Sequence, residues 1–309
     1  MKNSELNRIL SYFLHVKISD TISFKHNELI CVIMLKQKIV LFFFTFVLGF
    51  SPACFAIVGG YLIPMEGVYL NLQAQSNLAS HVLGLVDTTN PSTHSTCSAV
   101  LIAPSVALTA AHCVIKVDYG HLFIVADDAT YSVYARHTVS AVLVHPKYNV
   151  GNEIIPKPDA PNYDMALVKF DGVLSARFMP APFLRASSDR KNIWPVVAGY
   201  GYTSREKMDP GILRFTLLKV ESYLAAQNYF SADQSQGHGI CLGDSGGPVF
   251  FTRGNDFVLM GISSAVAAYN PYVAGTLAKD NCSGTSAFNN VLFYKNWIDS
   301  GLNYLNKIL

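Results

Sequence analysis

The sequence predicts an all-β protein. From residue 57 onward, short runs rich in Val, Ile, Phe, Tyr and Thr recur, Gly, Pro, Asn and Asp clusters separate them, and only the last dozen residues show helical spacing. In chain order the runs are CSAVLIA (97–103), SVALTAA (105–111), LFIVA (122–126), YSVYARHTVSAVLV (131–144), DMALVKF (164–170) and PVVAGYG (195–201), followed by LRFTLLKVESY (213–223), PVFF (248–251), DFVLMGISS (256–264) and NNVLF (289–293). Each is of strand length and bounded by turn residues. At the end, Trp297, Ile298, Leu302, Leu305 and Ile308-Leu309 recur at near-helical spacing, as in an amphipathic helix laid on the domain. The stretch EIIPKPDAP (153–161) reads as an irregular exposed loop, and no internal repeat or low-complexity run interrupts the pattern.

A leader precedes the strands. Met34-Leu35-Lys36-Gln37-Lys38 is a short basic segment, Ile39–Phe50 a twelve-residue apolar run, and Ser51–Ala56 a small-residue segment ending in Ala. The apolar run falls short of the roughly 20 residues that cross a bilayer, so it reads as a removed export signal, with Met34 as the start and cleavage after Ala56. A longer basic region reaching into residues 1–33 is the alternative start. Lipidation at Cys54 is disfavoured, because Ser51 stands where a lipoprotein signal places Leu. Residues 1–56 are thus a leader and 57–309 the mature domain, which is exported to a periplasm or outside the cell.

The formal charge of +2 excludes little by itself. Six of the 23 basic and three of the 21 acidic side chains lie in residues 1–56, so the remainder carries a balance of −1. No nucleic-acid partner and no lasting membrane association are expected of it. Of six cysteines, Cys31 and Cys54 fall in the leader, leaving Cys97, Cys113, Cys241 and Cys282. None forms a CxxC pair, which argues against zinc, and export favours disulfides. Three pairings are possible in principle; the near pairs Cys97 with Cys113 and Cys241 with Cys282 are the ones expected. Asp127-Asp128 reads as a solvated turn, so neither a metal nor another cofactor is called for.

Three segments offer complementary chemistry: a His in Thr109-Ala110-Ala111-His112-Cys113, an Asp in Asn162-Tyr163-Asp164-Met165-Ala166-Leu167, and a Ser in Gly243-Asp244-Ser245-Gly246-Gly247-Pro248. A serine hydroxyl is a poor nucleophile at neutral pH, and an imidazole with pKa near ~6.5 is suited to take its proton. Singly, each residue has an ordinary explanation as a surface histidine, a turn aspartate or a loop serine.

In this order, together with Ile57-Val58-Gly59-Gly60 and Gly199-Tyr200-Gly201, they resemble the trypsin and chymotrypsin family of serine endopeptidases over nearly the whole mature chain. The resemblance implies two antiparallel six-stranded Greek-key barrels, about 57–176 and 177–296, and a C-terminal helix at about 296–309. It implies His112 as general base, Asp164 as its orienting carboxylate and Ser245 as nucleophile, with the N–H groups of Gly243 and Ser245 as oxyanion hole. It also implies an ion pair between the α-ammonium of Ile57, freed by cleavage, and Asp244, which sets the oxyanion loop. No Arg or Lys precedes Ile57. Signal cleavage itself therefore makes the activating end.

By family spacing, Gly239 lies at the floor of the primary pocket, where trypsin-like members carry Asp, with Ile240 beside it. Ser264 lies at the substrate backbone, Val266 at the pocket wall, and Ser286 and Phe288 after Cys282. Valine in place of the usual glycine narrows the pocket, so small aliphatic side chains are favoured and Arg or Lys is not. The chain departs from the family at Ala265, where a cleft-lining tryptophan is usual, and in the lengthened segments 153–161 and 267–281. The resulting expectation is a monomeric, cofactor-free endopeptidase acting on protein or peptide substrates. The alternative is a catalytically silent homologue acting as a binding protein.

Overall fold

The computed structural model describes residues 57, 61–62, 72–89, 95–115, 117–126, 136–149, 163–185, 189–203, 209–234, 237–268, 282 and 284–308. The leader, Asp127-Asp128 and the segments 153–161 and 269–281 lie outside them. Among the described residues no helix is long and apolar enough to cross a membrane.

The first half is a closed antiparallel barrel. Its strands are β2 (Val82–Asp87), β3 (Ser95–Ala103), β4 (Val106–Thr109), β5 (Leu122–Val125), β6 (Arg136–Val144) and β7 (Ala166–Phe170), in spatial order β2-β3-β4-β7-β6-β5. Side chains alternate along each strand, so every strand faces two environments. Leu83 and Leu85 of β2, Ala99 and Leu101 of β3, Ala107 of β4, and Ala166, Val168 and Phe170 of β7 fill the barrel. The intervening Val82, Val100, Ile102, Val106, Leu108 and Leu167 join a second cluster with Phe215, Phe250, Leu259 and Ile298 from the rest of the chain.

In the second half, β1 (Tyr61–Leu62), β9 (Val196–Gly199), β10 (Arg214–Leu217), β12 (Tyr229–Asp233), β13 (Pro248–Arg253), β14 (Asp256–Ala268) and β15 (Gly284–Asn290) form one sheet, ordered β1-β10-β9-β13-β14-β15-β12. A separate antiparallel pair, β8 (Arg190–Ile193) with β11 (Val220–Tyr223), accompanies it. Val197, Tyr223, Phe230, Ile240, Val249, Met260 and Phe288 form the core of this half.

The expected all-β fold is what is found, with several departures, among them strands β2, β8 and β12, which none of the expected runs contains. Leu72–Ala79 is a helix, α1, although no helix was expected before the C-terminus. Its segment LQAQSNLA holds no β-branched residue, and Ala74 and Leu78, one turn apart, are buried in the inter-barrel cluster. The terminal helix α2 spans Lys295–Leu305, burying Ile298, Gly301 and Leu305, while Ile308 lies beyond it and is 39% exposed. The NNVLF run contributes only its two asparagines to β15, because Val291–Phe293 turn toward α2.

His145, just past β6, is 8% exposed and stacks on Tyr163 at 4.7 Å, with Tyr294 and Trp297 on its other sides. Burial, aided by the charge of Lys147, holds its pKa down to about 4. The unfolded chain therefore takes up a proton that the folded chain refuses, and stability falls as the pH drops from about 6.5 toward 4. In thermal melts at pH 7 and 4.5, His145→Phe should show a smaller acid-induced drop in Tm than the parent.

Candidate active site

His112 follows β4 within a single 3-10 turn, Ala111–Cys113. Its neighbour Cys113 is bonded to Cys97 of β3, with the Cα atoms 6.2 Å apart. The two sulfurs and a His112 ring nitrogen lie within 4.8 Å of one another, and because both sulfurs are spent in the disulfide, the cluster is a staple. It fixes the histidine against the barrel wall.

Asp164 stands just before β7 with its side chain 3% exposed. Its Oδ1 accepts the His112 main-chain N–H (2.9 Å), and Oδ2 faces His112 Nδ1 at 2.8 Å. A carboxylate only accepts, so in the neutral ring Nδ1 carries the proton and Nε2 is left with a lone pair able to accept one. Burial works to lower the His112 pKa, but the hydrogen bond and charge of Asp164 outweigh it and raise the ring above its ordinary 6.5. Two further side chains hold the aspartate: the Ser264 hydroxyl donates to Oδ2 (2.7 Å), and Asn289 Nδ2 donates to the Asp164 carbonyl (2.7 Å).

Ser245 reaches the same place through β3. Its carbonyl accepts the Ser98 N–H (2.8 Å), and Ser98 is the residue after the disulfide cysteine Cys97. The Ser98 hydroxyl donates to Gly243 O and accepts from Tyr200 N–H, both at 2.9 Å. Serine and histidine are thus fastened to adjacent positions of one strand. Among the described residues, the Ser245 hydroxyl makes no hydrogen bond to His112. Such contacts commonly tighten only when substrate is bound.

The main chain around Ser245 divides its donors. Asp244 N–H bonds Cys241 O, Gly246 N–H bonds Ser263 O and Gly247 N–H bonds Asp244 O. The N–H groups of Gly243 and Ser245 donate to no acceptor among the described residues. Gly243 has φ +91°, and a Cβ there would lie 2.8 Å from the Gly201 Cα, so only glycine turns the peptide this way. Two unspent donors beside a half-buried hydroxyl are what a developing oxyanion needs.

Asp244 is fully buried, accepting Gly201 N–H (2.8 Å) and Cys241 N–H (2.9 Å). Burial pushes its pKa up to about 7, against the pull of these two bonds and the charge of Arg214. Ile57 is also fully buried, with φ +57°. That left-handed conformation is unfavourable for a β-branched residue. With Ala56 ahead of it, its nitrogen is a peptide nitrogen and carries no charge.

The family model described as Trypsin matches residues 73–298. The chain belongs to the trypsin family. It is 29% identical over 200 residues to Venom serine protease 34 of Apis mellifera, covering 58% of this chain and 48% of that one. To Trypsin-1 of Astacus astacus it is 28% identical over 187 residues, 54% of this chain and 76% of that one. Spermosin of Halocynthia roretzi is 28% identical, with 58% and 49% covered. The chain therefore spans about half the length of the venom protease and of spermosin. The solved structure of HL collagenase superposes with a TM-score of 0.59 at 23% identity, covering 80% of this chain and 99% of that chain, and shows the shared two-barrel fold.

Both expected disulfides are present, Cys97–Cys113 and Cys241–Cys282, the latter with Cα atoms 4.8 Å apart. Of the trypsin-family pocket positions, Gly239 is buried and Val266 half-buried, the latter facing Ser286 across the β14–β15 ladder. The Ile240 and Phe288 side chains belong to the second-barrel core, Phe288 against Phe230 at 5.3 Å. Ser264 sits at the β14 irregularity between Ser263 and Ala265, which turns its hydroxyl to Asp164. Sequence reading missed Ser98, Asn289 and Gln234, none of which carries a motif. Each is bonded to at least one partner more than 40 residues away.

Proposed function

We propose that the chain is an exported, monomeric serine endopeptidase of the trypsin family that hydrolyses peptide bonds through an acyl-enzyme. His112 Nε2 takes the Ser245 hydroxyl proton as the oxygen attacks the scissile carbonyl, and Asp164 steadies the imidazolium. Gly243 and Ser245 N–H groups receive the carbonyl oxygen as it becomes an anion. The imidazolium then returns its proton to the departing amine, and water repeats the sequence on the ester. The observations that support this reading are the Ser264–Asp164–His112 hydrogen-bonded chain and a serine fastened to the same strand β3 beside two unspent N–H groups.

Residues 1–56 act as leader, and cleavage after Ala56 both exports the domain and frees the Ile57 amine to pair with Asp244. The mature domain holds a first barrel at about 57–176, a second at about 177–296, and the terminal helix. Val266 favours small aliphatic side chains in the primary pocket.

A fluorophosphonate probe tests the reading. Labelling of the processed protein that disappears in Ser245→Ala supports the enzyme. Correctly processed protein that takes no label would instead be a silent homologue acting by binding.

A further inference from the structure

Resting on that peptidase reading, we propose that Gln234 is a specificity-determining residue: its amide, delivered from the end of β12, fills the floor of the primary pocket and restricts it to short, uncharged side chains.

Gln234 is 1% exposed. Its Nε2 donates to Ile240 O (2.9 Å) and Cys282 O (2.6 Å), while its Oε1 accepts from Ile240 N–H (3.0 Å) and from the Ser286 hydroxyl. A primary amide offers two protons and two lone pairs. All four are consumed by the protein, so the amide has nothing left for a ligand's charge.

Its position matters as much as its saturation. A Cβ built on Gly239 would lie 2.1 Å from Gln234 Oε1 and 2.4 Å from its Cδ. The amide therefore occupies the space into which a side chain at 239 would grow, and this explains why glycine stands there. A neutral group from another strand takes the place of the acid that would attract Lys or Arg.

The same four bonds join three separate segments. Ile240 precedes the Ser245 turn, Cys282 is the far end of the second disulfide, and Ser286 lies on β15 opposite Val266. Gln234 is itself held through its own N–H to Gly284 O (2.8 Å) and its carbonyl to Gly237 N–H (3.2 Å). With Val266 narrowing one side, the floor sets depth and the wall sets width.

The test uses the processed full-length protein and matched peptide substrates carrying Ala, Val, Leu or Lys before the scissile bond, with fluorophosphonate labelling as a check of the catalytic machinery. One methylene in an apolar pocket changes kcat/KM by about 10- to 200-fold. Gln234→Ala should therefore raise the Leu-to-Ala ratio of kcat/KM at least about tenfold while still taking the label. Gln234→Asn, which keeps the amide and shortens it by one methylene, should move the ratio the same way by less, and it decides the matter if the alanine variant does not fold. Adding Gly239→Asp to Gln234→Ala should create Lys cleavage that Gly239→Asp alone does not.

Labelled variants with an unchanged Leu-to-Ala ratio overturn the proposal and leave the peptidase reading intact. Lys cleavage by Gly239→Asp alone also overturns it. Wild type that takes no label overturns the peptidase reading, and this proposal with it.

Discussion

Replacing Asp164 by Asn should lower kcat by about 10⁴-fold, the size established for this substitution in trypsin-family triads, with little change in the melting temperature. The arrangement around the residue explains both halves. An amide at 164 can donate where the carboxylate only accepts, so the His112 ring can take the opposite tautomer, with its proton on Nε2 and its lone pair turned away from Ser245. The shape is preserved, because the hydrogen bond from Asn289 reaches the main-chain carbonyl and does not depend on the side chain. The pH profile supplies a second reading. Since Asp164 holds the His112 pKa above its ordinary value, activity of the wild type should climb with pH through a limb above 6.5. In the Asn variant that limb should move to lower pH, because burial is then opposed by less. An unshifted limb would mean that another group governs the rise. Ser264→Ala removes one hydrogen bond to a charged group, typically worth about 1.5–3 kcal/mol, and leaves the carboxylate a stronger acceptor for the imidazolium, so it should move the limb the opposite way, to higher pH.

The second large effect is expected at the new chain start. A domain carrying one extra residue ahead of Ile57 should lose at least about 10²-fold in kcat/KM, the cost of disordering an oxyanion donor. In the unprocessed chain Asp244 is a buried carboxyl with its pKa pushed up to about 7 from 3.8. The folded form binds that proton more tightly than the unfolded form does. Stability of the unprocessed chain therefore declines as the pH rises from about 4 to about 7, by roughly 4 kcal/mol in all. A free Ile57 ammonium beside the carboxylate would favour its ionised form and abolish the decline. Removing the preceding residue also frees Ile57 from the strain of a positive φ. Two measurements follow: peptidase activity of the extended and processed forms, and their Tm at pH 5 and pH 7.5. Equal activity, or a Tm difference that does not widen with pH, would sink the activation mechanism.

Much of this site is legible without coordinates because its chemistry depends on residue type. Histidine, aspartate and serine each stand in a short local context, TAAHC, DMAL and GDSGGP, and the glycine at 243 follows from a backbone conformation that other residues rarely adopt. The alternating strands likewise announce two buried faces, as β3 shows by sending Ala99 and Leu101 into the barrel and Val100 and Ile102 to the inter-barrel cluster. Less visible are β8, whose RKNI is largely polar with no fully buried residue, and α1, whose short LQAQSNLA lacks the length that makes helical period stand out.

What amino-acid order determined was the set of candidate reacting groups, the cysteines available for pairing and the β character of the chain, because each of these is written in neighbouring residues. Tertiary structure alone decided how the groups are held. The Ser264 bond to Asp164 spans 100 positions and the Asn289 bond 125, and Gln234 reaches 48 residues onward to Cys282. Burial makes such bonds matter, since a polar atom out of water needs a partner, and no local pattern reveals which distant segment the fold will bring to meet it.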